Sequence, residues 1–237
     1  MKEWIVGRNP VYEALRARRR QAFRLLVAEG SREKGRLREV EELARAQKIP
    51  VSQANRRQLD TFGDGNQGVA LEVSGYPYSD LPTIHEGASR RGEPPFLLIL
   101  DTLQDPQNLG TLLRTSEIVG IHGVLLPFRR TATVTPAVVS ASSGASEHLL
   151  IAQANLAQAI ALLKEQNIWV IGLESGSGAQ PPQDVRLDGA LALVVGNEGE
   201  GMRPLVRDSC DLLLRLPMRG QLDSMNAAVA GSIALYL

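Results

Sequence analysis

A single cysteine in 237 residues rules out an internal disulfide. Cys210 stands in the apolar run Cys210-Asp211-Leu212-Leu213-Leu214, which predicts a buried structural thiol and suits a reducing, cytoplasmic setting. The start, Met1-Lys2-Glu3-Trp4-Ile5-Val6-Gly7, has no apolar signal core, and no apolar stretch reaches the roughly 20 residues that span a bilayer. Membrane targeting is not expected. Aromatic residues are few at 4%, but hydrophobic residues at 43% and charged residues at 22% are near globular averages, which excludes a disordered chain. The net charge is zero, which argues against a generic polyanion binder. No G-x-G-x-x-G follows the first strand of either half, which excludes a dinucleotide-dependent oxidoreductase. His85, His122 and His148 lack ligand spacing, so no metal is expected and each reads as a loop or surface residue.

The length suits one compact domain plus a small accessory one. Charge separates the two. Residues 1–75 hold 15 of the 26 Lys and Arg but 10 of the 26 Asp and Glu, a surplus of five positive charges that leaves five negative ones on the rest. The basic end is the candidate for phosphate contact, densest at Arg16, Arg18, Arg19, Arg20 and Arg24, and a solvated helix end explains the same cluster equally well.

Asn9-Pro10 predicts a helix start, with Val11, Ala14 and Leu15 on one face to about Arg18. Strands at 23–28, 49–51 and 68–73 and a helix at 31–47 complete a small α/β unit over residues 1–75. Seven glycines and prolines between Ser74 and Pro95 read as a linker over 76–94. In 95–237, apolar strands at 96–100, 123–126, 168–173, 190–195 and 212–216 alternate with helices at 109–119, 155–166 and from Ser224 onward. This predicts an α/β domain with a parallel sheet covered on both faces.

Three segments at strand ends carry the chemistry. In the first, Leu100 to Thr115, a strand turns through Asp105-Pro106 into a helix whose core stripe is Leu109, Leu112, Leu113, Ser116 and Val119, with Arg114 roughly opposite. Such an arginine can reach a ligand in the sheet crevice, or it is a surface residue with Asn108 a mere cap. The second, Leu193 to Met202, is a glycine-rich turn in which Glu198 and Glu200 would repel phosphate, so a cationic or hydroxyl-bearing ligand fits better than a nucleotide phosphate. The third, Leu214 to Tyr236, runs strand, loop, helix. Asp223 or Ser224 could cap that helix, and its small residues predict burial against several neighbours.

These three segments, with the opening Gly7-Arg8-Asn9-Pro10-Val11, resemble the motifs of the SpoU (TrmH-like) methyltransferases over nearly the whole chain. The likeness is strongest to the enzymes that modify a guanosine of large-subunit ribosomal RNA. It implies a ribosomal-protein-like RNA-binding domain followed by a knotted (deep trefoil) parallel-sheet domain, S-adenosylmethionine as cofactor, and a homodimer. Asn108, Arg114, Glu198, Ser224 and Asn226 match the family's polar catalytic positions. Gly196, Leu216, Met218 and Met225 match its cofactor-holding ones. Asn66 stands where relatives commonly carry histidine before Gln67, and Ala228 where serine is frequent. The implied reaction moves a methyl group to a ribose 2'-hydroxyl of structured RNA, ribosomal rather than transfer RNA. Arg114 would either direct deprotonation of the hydroxyl or stabilise negative charge on the oxygen, the second being the safer role for a group that is normally protonated. A non-catalytic RNA-binding protein of the same fold is the rival reading.

Overall fold

The computed structural model describes all residues except Met1, Arg32, Glu33, Ser177, Glu198 and Asp223. In chain order the elements are β1 (Lys2–Val6), α1 (Arg8–Ala17), β2 (Ala22–Ala28), α2 (Arg36–Ala46), β3 (Val51–Ala54), α3 (Arg56–Asp60), β4 (Val69–Ser74), α4 (Leu81–Arg91), β5 (Phe96–Leu100), α5 (Pro106–Ile118), β6 (Gly123–Pro127) and α6 (Pro136–Ala141). There follow β7 (Ile151–Ala154), α7 (Leu156–Glu165), β8 (Trp169–Leu173), β9 (Leu191–Val195), α8 (Pro204–Ser209), β10 (Leu212–Leu214) and α9 (Ala227–Ala234). No helix among the described residues is long and apolar enough to cross a membrane.

The chain divides into two compact units, residues 1–77 with 133–148, and 78–132 with 149–237. In the first, a four-stranded sheet runs in the order β1-β4-β2-β3. Helix α3 seats Leu59 against Val6, Leu26, Ala28, Ala54 and Ala70. Val11, Ala14 and Leu15 of α1 are buried as their spacing predicts. The helix starts earlier than expected: Gly7, at φ +94°, is its N-cap, and Asn9-Pro10 fall within the first turn, where proline sacrifices no helical hydrogen bond. Strand β1 and the short α3 escape the sequence pattern because each is five residues long and buries few side chains, only Ile5 and Val6 in β1 and Leu59 in α3.

The second unit has a six-stranded, wholly parallel sheet in the order β10-β8-β9-β5-β6-β7. Ile84 of α4, Ile160 of α7 and Val206 of α8 share one core with Ile99, Val170 and Val194 of the strands. Adjacent residues point to opposite faces, so Val195 lies on the other side. There α9 approaches so closely that a Cβ on Gly231 would come 2.7 Å from Leu112 and 3.1 Å from Val195.

The segment read as a linker holds α4. Asp80 accepts a hydrogen bond from the Thr83 N–H (2.9 Å), Pro82 sits in the first turn and Gly92 closes the helix at φ +65°. The prolines and glycines are helix punctuation there. Burial, then the Asp211 charge, pushes the partly buried Cys210 thiol up to about 12, and its Sγ donates to the Val206 carbonyl (3.4 Å). At pH 8, alkylation of Cys210 is expected to run roughly 10³-fold slower than that of a free cysteine, by absorbance-monitored thiol titration.

Candidate active site

The carboxyl edge of the parallel sheet gathers the three segments. Strand β9 ends at Val195, and Gly196 is forced by contact: a Cβ there would lie 2.3 Å from the Gly201 carbonyl carbon and 2.4 Å from the Met202 nitrogen. The turn closes on itself. Asn197 and Gly201 exchange backbone hydrogen bonds at 3.1 and 3.0 Å, and Asn197 Oδ1 accepts from the Gly199 and Glu200 N–H groups at 2.7 and 3.1 Å. Asp101, fully buried after β5, anchors the far side of the turn. Its carboxylate accepts from the Arg203 backbone N–H and from Arg203 Nε, both at 2.8 Å. Neither Asp101 nor Arg203 is apparent in the sequence reading, although an aspartate directly after an apolar strand was the available signal. Glu198, expected to be catalytic, lies outside the described residues.

Between this turn and the third segment is a cavity of about 450 Å³. Gly196, Leu216, Met218, Met225 and Ser224 all line it, so all four expected cofactor-holding residues and one expected catalytic residue converge. Leu173, Glu174, Ser175 and Gly176, from the end of β8, complete the wall and were not foreseen. Glu174 is engaged by Arg207, Nε to Oε2 at 2.7 Å. The volume falls within the range of small-molecule sites. Apolar walls opposite a backbone-lined turn suit a ligand with a flat apolar ring and a polar tail.

Asn108 and Asn226 meet beside the cavity: Asn226 Nδ2 donates to Asn108 Oδ1 at 3.2 Å. The reading of Asn108 as a mere cap fails, because Asp105 caps α5 by accepting from the Gln107 N–H (3.0 Å). In α9, likewise, Asn226 is the cap. It accepts from the Ala228 and Val229 N–H groups at 3.0 and 3.1 Å, so the helix starts three residues after Ser224. Asp223, the other expected cap, lies outside the described residues. Arg114 is exposed in the third turn of α5 and does not line the cavity. The α9 helix is not embraced all round. Ala227, Ala228, Gly231 and Ala234 are buried, whereas Val229, Ile233 and Tyr236 are 48%, 42% and 67% exposed.

In the first unit the arginine cluster splits. Arg20 is buried and grips Glu147 with two hydrogen bonds, Nε to Oε2 at 2.8 Å and Nη2 to Oε1 at 2.9 Å, while Nη1 reaches Glu3 at 2.8 Å. Burial disfavours its charge, but Glu147 and then Glu3 outweigh that and raise its pKa. Arg19 donates to the Tyr76 hydroxyl and Arg24 to Glu72. Arg20 is therefore a strut and not part of a phosphate-facing patch. Asn66 has its own local use: its Oδ1 accepts from the Gly68 N–H (2.9 Å) and its Nδ2 donates to Asp60 (2.8 Å). His122 is also not at the surface. It is buried, accepts from the Phe96 N–H (3.1 Å) and pairs through Nε2 with Glu93 (3.0 Å). His148 is bonded to Glu13 at 2.7 Å.

Residues 95–236 match the SpoU rRNA Methylase family, and residues 4–79 match the RNA 2'-O ribose methyltransferase substrate binding family. The chain belongs to the SpoU rRNA methylase family. Among relatives, the Bacillus subtilis protein YacO, assigned to the TrmH family of tRNA/rRNA methyltransferases, is 41% identical over 99% of this chain and 94% of its own. Two solved structures share the fold. The SpoU methyltransferase AviRb from Streptomyces viridochromogenes, in complex with the cofactor AdoMet, superposes with a TM-score of 0.81 at 22% identity, over 99% of this chain and 88% of that one. The AdoMet-bound rRNA methyltransferase from Sinorhizobium meliloti does so with 0.79 at 24% identity, over 99% and 85%. As a SpoU methyltransferase the chain is an RNA-modifying enzyme, and the two matched segments together cover most of both units, leaving out 80–94 between them.

Proposed function

We propose that this SpoU enzyme binds S-adenosylmethionine in the 450 Å³ cavity and methylates a ribose 2'-hydroxyl of structured RNA, a guanosine of large-subunit ribosomal RNA rather than a transfer RNA. The observation that carries the reading is the convergence of Gly196, Leu216, Met218, Met225 and Ser224 on one cavity at the carboxyl edge of the sheet. The residues fit the cofactor. The Gly196 backbone lies flush against residues 201–202, and Leu216, Met218 and Met225 give an apolar surface for an adenine ring. When bound, the cofactor supplies an electrophilic methyl group. Gly196→Ala is expected to weaken S-adenosylmethionine binding at least about tenfold, by calorimetry, since its Cβ collides with backbone that cannot swing aside.

The protein's own part is alignment of the attacking hydroxyl and stabilisation of the oxygen as it loses its proton. Arg114 is assigned the second task, with Glu198, Ser224 and Asn226 orienting the ribose. Because Arg114 is outside the cavity wall, the reading includes a homodimer that completes the site. Arg114 and Ile118, one turn apart on α5, share an exposed face, and Ile118 is 60% exposed. Helix α9 packs on α5 through Thr115 and Ser232 (2.9 Å) and carries the exposed Val229 and Ile233, with the exposed Tyr236 just beyond its end. A second copy covering these apolar groups would bring Arg114 into the interface. Ile233→Glu is expected to give a monomer in sedimentation and to lower turnover. The trefoil threading and a cytoplasmic setting belong to the same proposal.

The substrate is tested by supplying methyl-labelled S-adenosylmethionine with unmodified ribosomal or transfer RNA. Label is expected in the ribosomal pool, and label in transfer RNA alone would reverse the choice.

A further inference from the structure

Strand β6 is buried to its last residue, Pro127, and the chain then surfaces abruptly. Phe128 is 65% exposed, and Arg129 and Arg130 are exposed beside it. A single exposed phenylalanine needs no partner by itself, but Phe128 is joined to two exposed arginines at the carboxyl edge of the sheet. Arg90, Arg186, Arg203 and Arg207 of the same unit pair with carboxylates, whereas the side chains of Arg129 and Arg130, like those of Arg91, Arg215 and Arg219, have no ion pair or hydrogen bond among the described residues. Arg129 and Arg130 differ in standing side by side next to an exposed aromatic ring. The sequence keeps carboxylates away as well: no Asp or Glu occurs between Glu117 and Glu147, in a C-terminal half that is otherwise acidic.

The loop is also held in shape. Arg130 adopts φ +59°, a left-handed conformation costing a non-glycine residue roughly 1 kcal/mol. Two hydrogen bonds to the carbonyl of buried Leu103 hold the loop beyond it, from the Ala132 N–H at 2.7 Å and the Thr131 hydroxyl at 3.0 Å. Leu103 belongs to the β5–α5 connection that leads to Asn108. The strand order puts β6 beside β5 and β5 beside β9, so the loop leaves the carboxyl edge two strand spacings, about 10 Å, from the end of β9.

We propose that Phe128, Arg129 and Arg130 form a second RNA contact, on the methyltransferase unit, which holds an unstacked base and an adjoining phosphate of the strand carrying the target nucleotide. The pairing of an aromatic face with two unneutralised guanidinium groups matches the two chemistries a nucleotide presents together. An acidic protein would use the arginines but leave the phenylalanine unexplained. The inference rests on the RNA methyltransferase reading, and adds to the basic first unit a grip on the strand next to the reacting ribose.

The test is RNA affinity of the full chain across a salt series, without cofactor, alongside methyl transfer. Arg129→Ala/Arg130→Ala is expected to weaken RNA binding about tenfold or more and to flatten the dependence of log affinity on log salt by roughly 0.7 for each phosphate no longer neutralised. Phe128→Ala is expected to bind about tenfold more weakly with the slope unchanged. Arg129→Lys/Arg130→Lys should keep the slope and Phe128→Trp the affinity. If these conservative variants bind as weakly as the alanine ones, the loop acts only as structure and the assignment is overturned. Unchanged affinity and slope in the alanine variants would overturn it too, and leave the patch to an acidic protein partner. A wild-type chain that binds RNA without transferring methyl would sink the activity reading while the binding series still decides this one.

Discussion

Arg114→Ala is expected to lower turnover roughly 10²- to 10³-fold while changing S-adenosylmethionine affinity by no more than about twofold. The arginine is exposed on α5, away from the helix's core side of Leu109, Leu112, Leu113 and Ser116, so its removal leaves no cavity in the fold. It lies outside the cavity proposed for the cofactor, so the walls of that cavity are kept. In the proposed role, the substitution removes a planar cation that steadies charge on the attacking oxygen. Arg114→Lys keeps the charge but not the fork and should recover only part of the rate. Single-turnover kinetics with calorimetry on the same preparations separates the two quantities. Equal losses in both would contradict the assigned role.

Arg20→Ala is expected to destabilise the first unit by about 3–5 kcal/mol, because it strands the Glu147 carboxylate, whose side chain is 1% exposed, without its partner. Arg24→Ala supplies the contrast. Its bond to Glu72 is of similar length, 2.9 against 2.8 Å, but the Arg24 side chain is 50% exposed and the cost should stay under about 1 kcal/mol. Replacing both partners, Arg20→Met with Glu147→Leu, should be milder than Arg20→Ala alone, since no buried charge is left unpaired. Urea unfolding of the three variants checks the order. Equal costs for Arg20→Ala and Arg24→Ala would show that the buried pair does not hold 133–148 onto the sheet of the first unit.

Five of the six strands of the parallel sheet were legible as short apolar runs, and the three motif segments follow such strand ends; β7, only four residues long with Gln153 and two alanines, carries no such run and was missed. Gly196, Leu216, Met218 and Met225 were named only through the resemblance to the SpoU motifs, and their convergence on one cavity is visible only in the structure. Helix α4 was hidden by its own punctuation, since Pro82, Gly87 and Gly92 count toward a linker when composition alone is read. Residues that act through distant partners were also hidden. Arg20 sits in a run of arginines, and nothing nearby in sequence marks it as the partner of a glutamate 127 positions away. His122 looked like a surface residue because its partners, Phe96 and Glu93, precede it by 26 and 29 positions. Asp101 looked like the end of a strand, and its use in fixing the glycine-rich turn depends on Arg203, 102 residues later. Local pattern together with the family resemblance therefore pointed to the candidate site, while the contacts that stiffen it are long-range.

The position of the transferred methyl group on the nucleotide tests the central claim most directly. RNA labelled by this enzyme from methyl-labelled S-adenosylmethionine is digested with alkali, which cleaves only where a free 2'-hydroxyl can attack the neighbouring phosphate. Methylation of that hydroxyl predicts label in an alkali-resistant dinucleotide and, after full enzymatic digestion, in a ribose-methylated guanosine. Label recovered entirely in alkali-released mononucleotides with a methylated base would contradict the account.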